Sequence, residues 1–281
     1  MAGTKDVFVV QLYFARVSGE VLINGVPVWS VPKDLGATDQ TLPINGYLVS
    51  GTNTVELVVD IDAPPSKVRE KRQNRPDPEA SAAVRIVRFP GGGRIMPTPD
   101  AGTVVVAGEW LSDRDKGEES PRSLSWTFEV LGGGGPWSFQ SAPKLVIDEA
   151  TIEETRVLLE EVRSALRAGD VAALMALGAI RFREVGEAFG ATDDSADIAR
   201  LTRWVELYKN EPDRVLPIDP RQFDLRLCAD DKLLLAVNSD WSHCVRLRQD
   251  VTDQDNKPAG EFEAPYEIFA ARIGGKLKIV R

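Results

Sequence analysis

The chain has 281 residues, of which 43% are hydrophobic and 27% charged, with a formal net charge of −9. These are ordinary globular values at a length that accommodates two domains, each able to bury a core without disulfide or metal staples. The charge is negative on both sides of Asp148, which argues against nucleic acid as the main partner.

Asp6 to Ala15, rich in Val and aromatics, reads as a first strand. Asn24-Gly25 stands between two short apolar runs in VLINGVPVWS, a strong hairpin signal. An extended apolar piece with Ile44, Tyr47 and Leu48 then enters Gly51-Thr52-Asn53. The next strand sets Val55, Leu57 and Val59 on one face and Glu56, Val58 and Asp60 on the other. The stretch from Ala63 to Ala83, with Lys67, Arg69, Lys71, Arg72 and Arg75, reads as a long solvated loop or an anion-binding arm. Further strands are expected at Val84 to Phe89, Thr103 to Leu111 and Leu124 to Leu131, with closing strands at Trp137-Ser138-Phe139 and Leu145-Val146-Ile147. Gly91-Gly92-Gly93 has no helix behind it, so it is no phosphate-cradling loop. The charged loop from Ser112 to Arg122 sets Asp113 and Asp115 at a calcium-ligand spacing without the third acid or the glycine of a full calcium loop.

At Asp148 the period changes. Ile152, Thr155, Leu159, Val162 and Leu166 share a helical face, and Thr151 with Glu154 reads as a capping box. Gly169 ends this helix and Asp170 caps the next, Val171 to Leu177. Helices are also expected at Ile180 to Phe189 and at Ala196 to Asn210, the latter with Ile198, Leu201, Val205 and Tyr208 inward. Strands then follow at Phe223 to Cys228, Leu233 to Val237, Trp241 to Gln249, Tyr266 to Ile273 and Leu277 to Val280, with a polar insertion from Asp250 to Glu261. The sequence therefore predicts a β-sandwich over 1–147 and an α+β domain over 148–281, the latter with a four- or five-stranded antiparallel sheet.

Two family resemblances fit this plan. Strand, Asn24-Gly25 turn, strand, long return, then Tyr47-Leu48 before Gly51 and Asn53, then strand, resembles the galactose-binding-domain-like β-sandwich. That jelly-roll module is attached to many glycoside hydrolases, and in it these motifs hold the scaffold without touching sugar. Helices followed by an antiparallel meander ending in GGKLKIV resemble the nuclear-transport-factor-2-like (NTF2-like) α+β cone fold over Ile152 to Arg281. That likeness implies helices packed on a curved antiparallel sheet, leaving a pocket. The strand hairpin that the family sets between its early helices has no counterpart in this sequence.

Candidate chemistry gathers in the second half. His243 is the sole histidine and, in a regular strand, shares a face with Trp241, Val245 and Leu247. It suits either a half-buried structural role or a pocket acid/base. Pocket domains that resemble ketosteroid isomerase use an Asp base with Tyr donors, and Asp224, Tyr208 and Tyr266 are of those types. None aligns with a family position, so no catalytic residue is assigned. His243 and Cys244 are strand neighbours facing opposite ways, which removes a thiol–imidazole pair. Cys228 and Cys244 are expected on the first and third of three adjacent strands, too far apart for a disulfide and covered or moderately exposed. One His and two Cys offer no zinc spacing, and neither a metal nor a cofactor is expected. In the first half, Trp110, Trp126 and Trp137 are either core or a stacking platform for sugar rings.

The leading expectation is a non-catalytic binding or interaction protein with a small-molecule pocket in the C-terminal domain. The alternatives are an isomerase or hydrolase using that pocket, and an accessory carbohydrate-binding protein working through the sandwich. A small molecule, a carbohydrate or a protein is the expected partner. No apolar run approaches the ~18 residues of a membrane helix. The start, MAGTKDVFVV, carries no apolar h-region, so a cytoplasmic location is expected.

Overall fold

The computed structural model describes residues 5–31, 36–61, 63, 65–67, 71–74, 77–91, 102–112, 118–132, 134–191, 195–252 and 258–281. Contacts divide the chain into two compact units, residues 1–137 with 184–192, and residues 138–183 with 193–281. The division thus falls after Trp137, earlier than the expected Ile147, and a short helical stretch goes with the strand-rich unit.

The first unit contains β1 (Val7–Ala15), β2 (Gly19–Ile23), β3 (Val26–Val31), β4 (Ala37–Pro43), β5 (Gly51–Val59), β6 (Arg72–Asn74), β7 (Ser81–Phe89), β8 (Thr103–Leu111), β9 (Glu118–Ser120) and β10 (Arg122–Val130). Two four-stranded antiparallel sheets form, in the orders β4-β1-β7-β8 and β10-β5-β2-β3. Alternation sends Val10, Leu12 and Phe14 of β1 and Val84 and Ile86 of β7 into the same core as Val21, Ile23, Val55, Leu57 and Val59 of the other sheet. The result is a β-sandwich-like packing. Asn24 and Gly25 both have positive φ, 52° and 74°, as the tight hairpin between β2 and β3 demands.

Three expectations change here. Asn45–Tyr47 is a 3-10 turn, because Asn45 turns its amide inward, accepting from Phe8 N at 2.7 Å and donating to Asp6 O at 2.7 Å. Trp137 to Phe139 is no strand: the Trp137 indole donates to Leu48 O at 2.9 Å, and Ser138–Ser141 coils into a 3-10 turn. Leu145 to Ile147 is no strand either, and Leu145 N donates to Asp231 O at 2.7 Å. The two stretches read as loops each contain a short strand, β6 pairing with β9 in a two-stranded ribbon, with Lys71 3.2 Å from Glu119. Arg69, Arg75, Gly92, Gly93, Asp113 and Asp115 lie outside the described residues.

The second unit contains α1 (Glu149–Ala168), α2 (Val171–Leu177), part of α3 (Ala179–Phe189), α4 (Ser195–Lys209), β11 (Phe223–Cys228), β12 (Leu233–Asn238), β13 (Val245–Thr252), β14 (Pro258–Tyr266), β15 (Phe269–Ile273) and β16 (Lys276–Ile279). Asp148, not Thr151, caps α1: its carboxylate accepts from Thr151 N at 2.7 Å. Glu154 is freed from the expected capping box and instead accepts from Leu277 N at 2.8 Å. Gly169 closes α1 in the left-handed region, and Asp170 caps α2.

The antiparallel order is β11-β12-β15-β16, with β13 and β14 as a separate two-stranded ribbon. Most of the expected polar insertion is therefore β13 and β14, whose charges alternate outward and pair across the ribbon, Arg246 with Glu263 and Arg248 with Glu261. Helix residues Leu159, Val162, Leu166, Leu201, Val205 and Tyr208 share one core with Leu225, Leu234, Val245, Leu247 and Ile279. Ile198, expected inward, is 37% exposed.

Candidate functional site

The strand expected from Trp241 to Gln249 starts late, and this disperses the expected constellation. Trp241 has φ +70°. The Asp240 carboxylate accepts from Ser242 N at 3.0 Å and from its hydroxyl at 2.6 Å, while the Asn238 amide donates to Ser242 Oγ at 2.8 Å and to His243 O at 3.2 Å. These local bonds hold a turn where a regular strand was expected. His243 makes an isolated bridge to Val237, and Asp224 pairs with Val237 from the other side. Two strand spacings put their backbones about 9–10 Å apart, so they form no close acid–base pair.

His243 is half-buried, burial lowers its pKa, and its Nδ1 is buried with no hydrogen-bond partner among the described residues. Trp241 carries the Arg226 guanidinium over its ring at 5.3 Å. Tyr208 is buried in the core, with its hydroxyl accepting from Gln249 Nε2 at 2.6 Å. Tyr266 stacks on Trp204 at 5.6 Å and carries the Arg181 guanidinium over its ring at 5.4 Å. Of the two alternatives for the cysteines, moderately exposed or covered, both Cys228 and Cys244 are covered: they are free and buried, and burial pushes each thiol up to about 12. Burial also pushes the carboxyl of half-buried Glu267 up to about 7, although Arg181 nearby pulls it down.

The tryptophans of the first unit divide. Trp110 and Trp137 are buried and offer no face to a ligand. Trp126 is half-buried and lies over Gly108, where an added Cβ would come within 2.2 Å of the indole. Tyr13 is 42% accessible, on the face of β1 opposite Leu12 and Phe14. Register sets it beside Asp39 and Ala83, with Gln11, Arg85 and Glu109 near it on the same sheet face.

An open concavity lies on the second unit, lined by none of the residues named for the expected pocket. It is an open groove of about 1100 Å³ along α1, walled by α2 and β16. Apolar Val157, Leu158, Ala165, Ala168, Ala173 and Leu277 line it together with charged Glu160, Glu161, Lys276 and Lys278. The sequence signal is Val157, an apolar residue off the inward face of α1 that is 51% exposed. None of Tyr208, Asp224, Trp241, His243 or Tyr266 lines this groove. Among the described residues no three His, Cys, Asp or Glu side chains gather as metal ligands would, and no helix is long and apolar enough to cross a membrane.

Compared with family models, with curated proteins and with solved structures, the chain matches none.

Proposed function

We propose that the chain is a non-catalytic binding module whose C-terminal unit presents the groove along α1 to a macromolecular partner. The observation that carries this reading is the groove itself: an open concavity lined by both apolar and charged side chains, with Val157 half-exposed. Its openness and size suit a partner surface better than an enclosed small molecule. The dispersal of the titratable side chains supports the non-catalytic part, since Tyr208 is committed to Gln249 and Asp224 is separated from His243 by β12. At fold level we keep the galactose-binding-like jelly roll for the first unit and the NTF2-like cone for the second. The two four-stranded sheets favour the first, and helices leading into an antiparallel meander favour the second.

A photo-crosslinking residue placed at Val157 in the full chain tests the groove. Adducts formed from position 157, and none from a control residue such as Lys144, support the reading. No adduct from position 157 removes it.

One observation favours a second reading, carbohydrate recognition by the first unit. Tyr13 is an exposed ring among planar polar side chains on a sheet face, the combination that stacks and hydrogen-bonds a sugar. Glycan-array binding that is lost in Tyr13→Ala supports it, and an array that binds nothing removes it.

A further inference from the structure

We infer that the occupant of the α1 groove is a second copy of this chain, docked about a two-fold axis with the two α1 helices antiparallel. The inference rests on the groove reading above.

The β16 strand meets α1 at Glu154, which accepts from Leu277 N at 2.8 Å and pairs with Arg272 at 2.9 Å. Lys276 and Lys278, the exposed neighbours of Leu277, therefore mark the basic end of the groove. Glu161 lies seven residues further along α1, about 10 Å at a helical rise. Asp170 lies beyond it. Glu153 and Glu160 are already paired, with Arg156 and Arg163, each at 3.2 Å. Among the described residues Lys276, Lys278 and Glu161 take part in no ion pair.

The groove is thus basic at one end and acidic at the other. A heterologous partner would need the opposite pattern at the same spacing. A second copy supplies it by symmetry: antiparallel α1 helices carry the lysines of each protomer to Glu161 and Asp170 of the other. Along the groove the exposed positions of α1 include Val157, Ser164 and Ala168. The first adds apolar area, and the small side chains of the other two let a helix approach closely.

The experiment is sedimentation or light scattering of the full chain, whose mass is 30.8 kDa. At about 100 µM in low salt it should sediment as a dimer, and about 1 M salt should weaken the dimer because exposed pairs are screened. Lys276→Glu with Lys278→Glu, and separately Glu161→Lys, should each raise the dissociation constant at least ~10-fold. Mixing the two charge-reversed chains should restore a dimer. Circular dichroism establishes that each variant is folded, and the three positions are exposed.

A wild-type monomer across the range overturns the inference. So do folded variants that dimerise like the wild type, and so does a mixture that stays monomeric. A monomeric chain that still crosslinks from Val157 to a different protein overturns the dimer and leaves the groove reading standing. Absence of any adduct removes that reading as well.

Discussion

Asn24 in the β2–β3 turn meets Asn53 of the neighbouring strand β5, with Nδ2 of Asn24 donating to Oδ1 of Asn53 at 2.9 Å. Asn53 is fully buried, accepts from Val49 N at 2.8 Å and donates to Val49 O and Gly51 O at 2.9 Å each. Asn24 accepts from Thr54 N and donates to Tyr47 O, both at 2.9 Å. Two side chains thus satisfy backbone groups at the entry to β5. Asn53→Ala leaves several buried groups unpaired and should cost about 2–4 kcal/mol in denaturant unfolding. In a double-mutant cycle with Asn24→Ala the pair should couple by at least about 0.5 kcal/mol. Additive losses would mean that the two amides act separately.

Gly108 of β8 is the floor on which the Trp126 ring rests, since a Cβ there would lie 2.2–2.4 Å from indole atoms. Gly108→Ala should therefore displace Trp126, cost about 1–3 kcal/mol by overpacking, and shift the tryptophan emission. Adding Trp126→Ala should remove most of the penalty that Gly108→Ala brings. If the penalty is the same with and without the indole, it has another origin.

Trp204 of α4 packs between two rings, stacked on Tyr266 at 5.6 Å and edge-on to Tyr208 at 5.6 Å. It therefore fastens α4 to the β13–β14 ribbon. Trp204→Ala should cost about 3 kcal/mol, and Tyr266→Phe, which keeps the stacked ring, less than about 1 kcal/mol. A loss below about 1 kcal/mol for Trp204→Ala would show that the stack contributes little.

Glu267 gives the stability a pH dependence. Burial raises its carboxyl from 4.5 to about 7 against the pull of Arg181, so folding takes up a proton between those values. The stabilisation from this group is complete below about 4.5 and is lost as pH rises through about 7. The full span is on the order of 3 kcal/mol. His243 works in the opposite sense, because burial lowers its pKa below 6.5 and the fold loses stability as that imidazole is forced to charge on acidification. Glu267→Gln isolates the first effect: its stability gain over wild type should grow from pH 5 to pH 8. A gain that does not change with pH would mean that the carboxyl titrates normally.

Local chemistry wrote much of this molecule into its sequence. Asn24-Gly25, the alternation of Val55, Leu57 and Val59, Gly169 with Asp170, and the stripe from Thr155 to Leu166 act within a few residues, and the structure forms at each the element they predict. Tertiary structure decided the rest. Glu154 could cap its own helix, but Leu277 N lies within reach and Asp148 takes the cap. Trp137 reads as strand until its indole finds Leu48 O, 89 residues away. His243 and Asp224 look like neighbours in chemistry, and β12 lies between them. The groove is the extreme case: no sequence period marks it, because it is the space left where α1, α2 and β16 meet, and a space belongs to packing rather than to any one segment.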